Sequence, residues 1–379
     1  MKDLKTYIEN NKDLLLQTLK ELCLIPAPSH HEERRAQYCK AWLEEKGAKG
    51  VYIDDALNVV LPINCEGSKE ITVVVAHTDT VFPDVEPMPY RDDGDKIYCP
   101  GIGDNTASLT ILLLVAKYFI ENQIKPQKGI LFVCNSCEEG LGNLKGTRQI
   151  FRDYEGRVGQ FLSFDSTFDR IADKCVGSHR YEVRVQTEGG HSYLAFGKPN
   201  AIAALSEIVC DIYKIEIPAR ENSRTSYNVG TIEGGTSINT IAQDAKMLCE
   251  YRSDNIECLE IMEQAFERIF EQAKNRGVNL QVTRIGERPC MGQVDLDKIE
   301  KMARICEEIL RKNTGVSAVV RESSSTDCNI PLFHGIPALC FGVYVGAGWH
   351  TRNEWIEKAS LFPGLKVAIE NVIRLTEEL

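Results

Sequence analysis

Residues 71–79 read ITVVVAHTD, and this stretch decides what fold we expect. A run of β-branched and small apolar residues ends abruptly in the polar side chains of His77, Thr78 and Asp79. A short continuous run with polar boundaries is typical of a strand that is buried on both faces of a parallel sheet. His77 and Asp79 would then stand at the carboxyl end of that strand, where the ligand sites of α/β sheets collect.

Segments on either side of this strand alternate between helical and strand patterns. Amphipathic periodicity predicts helices over LKTYIENNKDLLLQTLKELC and HEERRAQYCKAWLEEKG before the strand, and a buried helix over ASLTILLLVAKYFIENQ after it. GILFVCN and FLSFD are predicted to be further buried strands. The alternation predicts helices on both faces of a mixed or parallel sheet, which is an α/β fold of three layers, α/β/α.

The pattern changes over residues 178–288. Alternating, half-exposed strands and two helices follow one another there in the order β-α-β-β-α-β, which is the ferredoxin-like α+β arrangement. Beyond this region the α/β pattern returns, with a helix over LDKIEKMARICEEILRKN and a buried strand over PALCFGVY. We therefore predict a discontinuous catalytic domain over 1–177 and 289–379, a lid domain inserted over 178–288, and a ligand site in the cleft between them.

Length and charge restrict the class of protein. The 379 residues suit two domains, and 44 basic against 55 acidic residues give a net charge of −11, which disfavours nucleic-acid binding. No apolar run approaches the roughly 20 residues of a membrane span, and the N-terminus lacks the apolar core of a signal peptide. The 14 cysteines lack the spacing of a disulfide framework. We expect a cytoplasmic protein that binds neither membrane nor nucleic acid.

Residue types that bind metals follow several of the predicted strands. The candidates are His77, Asp104, Glu138, Glu139, Asp165 and His350. Each signal is weak alone, because a His-x-Asp pair, a Glu-Glu pair at a helix start or a single late histidine is usually structural. Their joint occurrence at strand ends, in loops that contain glycine, predicts one shared metal site. Imidazole and carboxylate groups are the ligands that Zn²⁺ and similar divalent ions take.

A metal site of this kind that hydrolyses a substrate needs a ligand shared by two ions, a base and a residue that orients a ligand, and the candidates can be assigned to these roles. Asp104 lies in PGIGDN, where glycines let the backbone approach an ion, and it is the candidate for a carboxylate that bridges two ions about 3.5–4 Å apart. In the adjacent pair Glu138 and Glu139, one carboxylate can bind metal while the other acts as the base toward water. Asp79 can accept the second ring N–H of His77 and so fix the orientation of the ring.

The chain also carries a set of longer motifs. They are AHTDTVF, PGIGDNTASL, SCEEGLGNLKG, FLSFDS, EGGHSYLAFGKPNAI, INTIAQDAKMLCEYR, SSTDCNIPLFHGIPALCFG and GWHTRNEW. Together they resemble the M20 family of co-catalytic metallopeptidases over essentially the whole chain. Relatives in that family include acetylornithine deacetylase and succinyl-diaminopimelate desuccinylase, but EEGLGNLKG and SSTDCNIP resemble the peptidase T-like branch more closely.

The resemblance implies a role for each candidate residue. His77, Asp104 and Asp165 would hold one divalent ion, and Asp104, Glu139 and His350 would hold the other. The ions would be Zn²⁺, with Mn²⁺ or Co²⁺ as alternatives. The remaining roles are a general base at Glu138, orientation of His77 by Asp79, an oxyanion contact from His191 in GGHS, and substrate contacts from Asn239 and Arg252.

The resemblance further implies a metal-dependent exopeptidase that hydrolyses small peptides, such as a di- or tripeptide aminopeptidase. An N-acyl-amino-acid deacylase or desuccinylase on the same scaffold is the alternative, so the substrate would be a small peptide or an N-acyl amino acid. Dimeric relatives suggest a homodimer formed through the lid domain. A more remote alternative is a thiol oxidoreductase, because Cys134 and Cys137 form a C-x-x-C motif.

Overall fold

A computed structural model describes residues 4–377 of the chain and divides it into two compact units. The catalytic unit runs to Cys175 and resumes at Gln293, and the lid unit is Val176–Gly292. The sequence places these boundaries after residues 177 and 288 instead. Residues 1–3 and 378–379, which the prediction includes in the catalytic domain, lie outside the described residues.

The helices and strands of the described residues agree with most of the sequence predictions to within a few residues. The helices are α1 (Leu4–Cys23), α2 (Glu33–Glu45), α3 (Ser108–Glu121), α4 (Lys145–Asp153), α5 (Ala201–Ile212), α6 (Ile256–Asn275), α7 (Leu296–Thr314), α8 (Asn329–Phe333) and α9 (Leu361–Glu377). The strands are β1 (Tyr52–Ile53), β2 (Val59–Ile63), β3 (Ile71–His77), β4 (Arg91–Asp92), β5 (Lys96–Tyr98), β6 (Gly129–Asn135), β7 (Val158–Phe164), β8 (Arg170–Cys175), β9 (Gly177–Gln186), β10 (Gly190–His191), β11 (Thr225–Gly234), β12 (Thr240–Ile241), β13 (Asp244–Ser253), β14 (Asn279–Arg288), β15 (Val320–Ser324), β16 (Ala338–Phe341), β17 (Gly346–Ala347) and β18 (Trp355–Glu357).

The main sheet of the catalytic unit has eight strands in the order β1-β2-β6-β3-β7-β16-β8-β15. Its four central strands, β6, β3, β7 and β16, are parallel to one another, whereas β2 and β8 run antiparallel to their central neighbours. The register sets His77 opposite Asn135 and Phe341 opposite Phe164. The carboxyl ends of these parallel strands therefore meet at one edge of a mixed sheet.

Burial explains why the central strands carry apolar runs instead of an alternating pattern. Every residue of β3 and β6 is buried, and so are most residues of α3. A strand that is covered on both faces has no solvent-exposed positions. Every side chain is therefore buried, and the sequence of the strand is mostly apolar instead of alternating between apolar and polar residues. The α/β fold class predicted from these runs is confirmed.

A second, smaller sheet in the catalytic unit corrects one part of the prediction. The strand before Asp104, β5, does not join the main sheet but lies in the order β17-β18-β5-β4. His350 likewise follows β17 of this small sheet and comes well after the end of β16. Two of the candidate residues therefore reach the site from loops of the small sheet, and not from strand ends of the main one.

The lid unit has the ferredoxin-like topology that the sequence predicts. Its four-stranded antiparallel sheet has the order β11-β13-β9-β14, with the crossing helices α5 and α6 packed on β13 and β9. The burial of β13 alternates strictly along the strand, as expected when helices cover one face only. Tyr181, Met247 and Phe266 are among the side chains that form a separate hydrophobic core here.

No helix among residues 4–377 is both long enough and apolar enough to cross a membrane.

Candidate active site

Three of the candidate groups come from the carboxyl edge of the main sheet. His77 is the last residue of β3, Asp165 directly follows β7, and the pair Glu138 and Glu139 lies just beyond β6. These strands are neighbours in the sheet and run in the same direction. Their ends therefore deliver one imidazole and three carboxylates to a common place, as predicted.

Asp104 occupies the centre of the cluster. It lies in an irregular turn, Ile102–Ala107, that immediately precedes α3. Its Oδ1 is 3.0 Å from Nε2 of His77, and its Oδ2 is 3.1 Å from Nε2 of His350. The two oxygens of one carboxylate thus face two different histidines, which is the arrangement needed to join two ions.

A second carboxylate stands beside each histidine. Asp165 Oδ1 is 3.9 Å from His77 Nε2, and Glu139 Oε1 is 3.4 Å from His350 Nε2. Two groups of potential ligand atoms each lie within 4.8 Å of one another: His77 with Asp104 and Glu139, and His77 with Glu138 and Asp165. The cluster is compatible with two metal ions, and every metal ligand predicted from the sequence belongs to it.

The crowding of buried carboxylates in the cluster is compatible with a bound cation. Burial, together with the charge of Asp104, raises the pKa of Glu139 to about 8 and also raises the pKa of Asp165. The buried Oε1 of Glu139 has no hydrogen bond of good geometry among the described residues, and its neighbour His350 Nε2 is 3.4 Å away. Crowded, buried carboxylates of this kind repel one another, and divalent cations would offset that repulsion and could take Oε1 of Glu139 as a ligand.

Asp79 is completely buried and forms hydrogen bonds to the segments that carry the cluster. Its carboxylate accepts hydrogen bonds from the backbone N–H groups of Glu138 and Glu139, at 3.0 and 2.9 Å, and from the hydroxyl of Ser29 at 2.6 Å. The predicted contact with His77 differs in detail, because Nδ1 of His77 is nearer the backbone oxygen of Asp79, at 3.0 Å, than its carboxylate oxygen, at 3.3 Å. Asp79 therefore holds the glutamate loop as well as the histidine.

Glu354 also belongs to the site, although the sequence analysis did not predict it. Glu354, fully buried, accepts backbone N–H hydrogen bonds from Gly101, Gly103 and Asp104 at 2.7–2.8 Å. Burial raises the pKa of Glu354 to about 7, although these hydrogen bonds act to lower it. The only signal available in the sequence was its position four residues after His350, within the motif GWHTRNEW.

The remaining predicted site residues belong to the lid unit. His191 is exposed and pairs across a short ribbon with Thr240, next to Asn239, whose backbone oxygen accepts the N–H of Ser192 at 2.9 Å. Arg252 lies on β13, where its guanidinium donates to both carboxylate oxygens of Glu250, at 2.8 and 3.0 Å. The structure thus brings His191 and Asn239 together and gives Arg252 an acidic partner within its own strand.

The C-x-x-C motif has the environment of structural cysteines. Cys134 and Cys137 are both buried, and all 14 cysteines are free thiols. Burial, with the charge of Glu32, raises the pKa of Cys137 far above its ordinary value. The hydrogen bond that the Cys134 thiol makes to Cys39, together with burial, does the same for the pKa of Cys134. Because the thiolate is the reactive form, these environments disfavour the oxidoreductase alternative.

Comparison with known proteins in sequence gives relatives over nearly the whole chain. A Bacillus subtilis protein named YqjE is 24% identical to it, and the match covers 97% of this chain and 96% of the relative. Carboxypeptidase G2 of a Pseudomonas species is 23% identical, over 86% of this chain and 78% of the relative.

Solved structures share the fold. A tripeptidase from Staphylococcus aureus has a TM-score of 0.75 at 21% identity, covering 97% of this chain and 99% of its own. The aminopeptidase PepT of Bacillus cereus has a TM-score of 0.72 at 18% identity, with the same coverage. An M20 family carboxypeptidase from Sulfolobus solfataricus has a TM-score of 0.76 at 15% identity, covering 96% of this chain and 99% of its own.

The family model described as Peptidase family M20/M25/M40 matches residues 73–373, a span that includes the whole metal-binding cluster and the lid. The resemblance drawn from the motifs is thereby confirmed. The chain belongs to the M20 family of metallopeptidases, which are hydrolases that act on peptide bonds.

Proposed function

We propose that this M20 hydrolase is an exopeptidase that removes a residue from small peptides with the help of two divalent cations. The observation that carries the proposal is the placement of Asp104 between His77 and His350, each about 3 Å from one of its oxygens. Each histidine has a further carboxylate beside it, so the cluster divides into two similar ligand sets. Its motifs resemble the peptidase T-like branch, which favours peptides over N-acyl amino acids.

The proposed ligand sets follow the shortest contacts. His77 and Asp165 would hold one cation and His350 and Glu139 the other, with Asp104 shared between them. Zn²⁺ fits this mixture of imidazole and carboxylate, although Mn²⁺ and Co²⁺ take the same ligands. When bound, the cations would polarise the scissile carbonyl and make a water molecule more acidic.

Glu138 is the proposed general base. It takes a proton from the attacking water as the water oxygen bonds to the peptide carbonyl carbon, and it gives a proton to the amine that leaves when the C–N bond breaks. Its backbone N–H is fixed by Asp79, and its side chain is almost completely buried beside the cluster. A base held in this way needs little rearrangement at the moment of reaction.

The lid residues have the roles that the family resemblance suggests. His191 is proposed to donate a hydrogen bond to the carbonyl oxygen as it gains negative charge. Asn239, adjacent to His191 in the lid, and Arg252 are proposed to contact the polar ends of the substrate. For Arg252 this requires the guanidinium to exchange or share its bond with Glu250.

A homodimer formed through the lid is also proposed. The strand β11 pairs with β13 on one side only within the described residues, and most of its side chains are exposed. An unpaired edge of this kind can pair with a second chain. Sedimentation analysis of the purified protein tests this: a dimer is expected, and a monomer at all accessible concentrations contradicts it.

A cytoplasmic location also remains our proposal.

The experiment for the activity is a substrate panel assayed with Zn²⁺, Mn²⁺ or Co²⁺ supplied to the metal-free protein. The panel pairs di- and tripeptides with their N-acetylated forms, their C-terminal amides and a set of N-acyl amino acids. We expect release of an amino-terminal residue that requires the free amine. Turnover of N-acyl amino acids alone identifies a deacylase instead, and cleavage that requires the free carboxyl end identifies a carboxypeptidase.

A further inference from the structure

Glu354 connects two segments that carry proposed metal ligands. It lies immediately before β18, four residues after His350 in the chain. Its Oε1 accepts the N–H groups of Gly103 and Asp104, at 2.7 and 2.8 Å, and its Oε2 accepts the N–H of Gly101 at 2.8 Å. Both carboxylate oxygens are therefore directed at the turn that presents Asp104.

The turn is packed closely around this carboxylate. A Cβ atom added to Gly103 would lie 2.8 Å from the hydroxyl of Tyr344 and 3.0 Å from Oε1 of Glu354. The Tyr344 hydroxyl is itself held by the indole N–H of Trp349, at 3.0 Å. Glycine at position 103 is what allows Glu354 to reach the backbone, and little free volume remains for the turn to adopt another path.

The far end of the turn is anchored to the main sheet. The side-chain amide of Asn105 donates to the backbone oxygen of Phe164 at 2.8 Å, directly before Asp165. The hydroxyl of Thr106 donates to the backbone oxygen of Gly101 at 2.6 Å, which closes the turn on itself. With Glu354 on the other side, the backbone of Asp104 is fixed from both flanks.

We propose that Glu354 is a positioning residue that sets the orientation of the shared carboxylate of Asp104. This inference rests on the proposed two-metal site. The carboxylate of Asp104 must present one oxygen to each cation, so a small rotation of its backbone improves one ligand set at the expense of the other. Three hydrogen bonds to one buried carboxylate resist that rotation, because turning the backbone of Asp104 would lengthen or misalign them.

Glu354 does not itself contact the reacting atoms in this account. Its contribution is felt through the affinity of the site for metal, since partners that orient metal ligands typically contribute about 10–100-fold to metal affinity or activity. A purely structural carboxylate would change the stability of the fold and leave the affinity of the folded protein for metal unaltered. The metal affinity of the folded protein therefore distinguishes a positioning role of Glu354 from a purely structural one.

The test compares Glu354→Gln and Glu354→Asp with the wild-type chain. Glutamine keeps the length of the side chain but cannot accept all three N–H groups, and aspartate keeps the charge but is one methylene shorter. Zn²⁺ affinity is measured by competition with a chromophoric chelator, together with kcat and KM. Asp173→Asn is the matched control, because Asp173 is a buried carboxylate of β8 that binds Arg321 of β15, and neither residue lies on a segment that carries a proposed ligand.

We expect Glu354→Gln to weaken Zn²⁺ binding by about 10–100-fold and to lower kcat with little change in KM, with activity recovering at high Zn²⁺ concentration. Glu354→Asp should lie between this variant and the wild type. The control should lower the midpoint of thermal unfolding without changing Zn²⁺ affinity.

Two results overturn the inference or its basis, and they are distinguishable. Wild-type Zn²⁺ affinity in a folded Glu354→Gln protein overturns the positioning role alone. Absence of Zn²⁺ binding by the wild-type chain overturns the proposed metal site on which the role depends. If Glu354→Gln does not fold, the Zn²⁺ affinity of Glu354→Asp is used instead. A wild-type affinity in a folded Glu354→Asp protein then overturns the positioning role.

Discussion

The carboxyl groups of the candidate metal cluster differ widely in proton affinity although they are neighbours. Burial acts to raise the pKa of Asp104, but hydrogen bonds from His350 and His77 outweigh it and leave the pKa well below its ordinary range. Burial and the nearby charge of Asp104 raise the pKa of Glu139 to about 8. Asp104 is thus the group that stays ionised, which suits a carboxylate shared by two cations.

Replacing Glu138 with glutamine should separate catalysis from metal binding. Loss of the general base is expected to lower kcat by about 10²–10⁴-fold, with two Zn²⁺ ions per chain retained. Steady-state kinetics and elemental analysis measure the two effects, with exposed Glu155→Gln as the control. Near-normal turnover would remove the assigned role of Glu138, and loss of a metal ion would make it a ligand instead.

Replacing Gly103 with alanine should disturb the turn that presents Asp104. The added Cβ would meet buried atoms of Tyr344 and Glu354 at 2.8 and 3.0 Å, and overpacking of this kind costs about 1–3 kcal/mol. We expect a lower unfolding midpoint in denaturant and weaker Zn²⁺ binding. Gly230→Ala is the control, since its Cβ would meet nothing nearer than 3.5 Å. Equal effects of the two substitutions contradict this account of the turn.

Among the structural elements, long buried strands were predictable and short exposed ones were not. The runs ITVVVAH and GILFVCN match β3 and β6 residue for residue. Burial on both faces favours apolar residues along the whole strand, so the ends of the apolar run mark the ends of the strand. By contrast, β5 and β18 have three residues each and pair across more than half the chain. Nothing local in such segments specifies a partner, so the small sheet could not be foreseen.

The end of β16 shows a second limit of the sequence pattern. PALCFGVY is apolar to Tyr344, but the strand stops at Phe341. At the next residue, Gly342, an added Cβ would lie 2.0 Å from the backbone of Thr167. The strand ends because the chain following β7 crosses here at close range, a tertiary contact that hydrophobic periodicity does not record.

In the lid, the histidine at the start of β9 should make stability depend on pH. Burial and the charge of Arg284 lower the pKa of His179 despite the nearby Glu263 and Glu287, and its Nδ1 lies 2.5 Å from the hydroxyl of Tyr251. The unfolded chain, with a histidine pKa of about 6.5, then binds the proton more readily than the folded one. Stability contributed by neutral His179 is therefore present above pH 6.5 and is lost as the pH falls below it.

Thermal unfolding of the metal-free chain between pH 5 and 7.5 tests this expectation. Relative to wild type, His179→Gln should show a smaller fall in the unfolding midpoint on acidification, because the titrating group is gone. The exposed His31→Gln serves as the control and should follow the wild-type curve. An unchanged pH dependence in His179→Gln contradicts the assignment.

For the whole molecule, the sequence predicted which residues come together better than it predicted the segments that bring them there. His77, Glu139 and Asp165 could be placed because each follows a recognisable strand of one sheet. Asp104 and His350 were also predicted to follow strands of the main sheet, but they arrive from loops of the small sheet, so that part of the prediction was wrong. Glu354 was missed because a carboxylate in a loop gives no sign of which backbone groups it will bind.

In the proposed mechanism, the lid supplies the contact to the carbonyl oxygen of the substrate through His191. Replacing His191 with alanine should lower kcat/KM by about 10²–10³-fold, the usual cost of losing an oxyanion donor, with no change in Zn²⁺ content. His31→Ala, an exposed histidine of the catalytic unit, is the control. Unchanged kcat/KM in His191→Ala contradicts its catalytic role.

The proposed mechanism requires two cations that share the carboxylate of Asp104. The most direct measurement is an anomalous difference map at the zinc edge from crystals of the zinc-loaded protein. We expect two peaks about 3.5–4 Å apart, one beside His77 and Asp165 and the other beside His350 and Glu139, with Asp104 between them. A single peak, or peaks remote from Asp104, would contradict it.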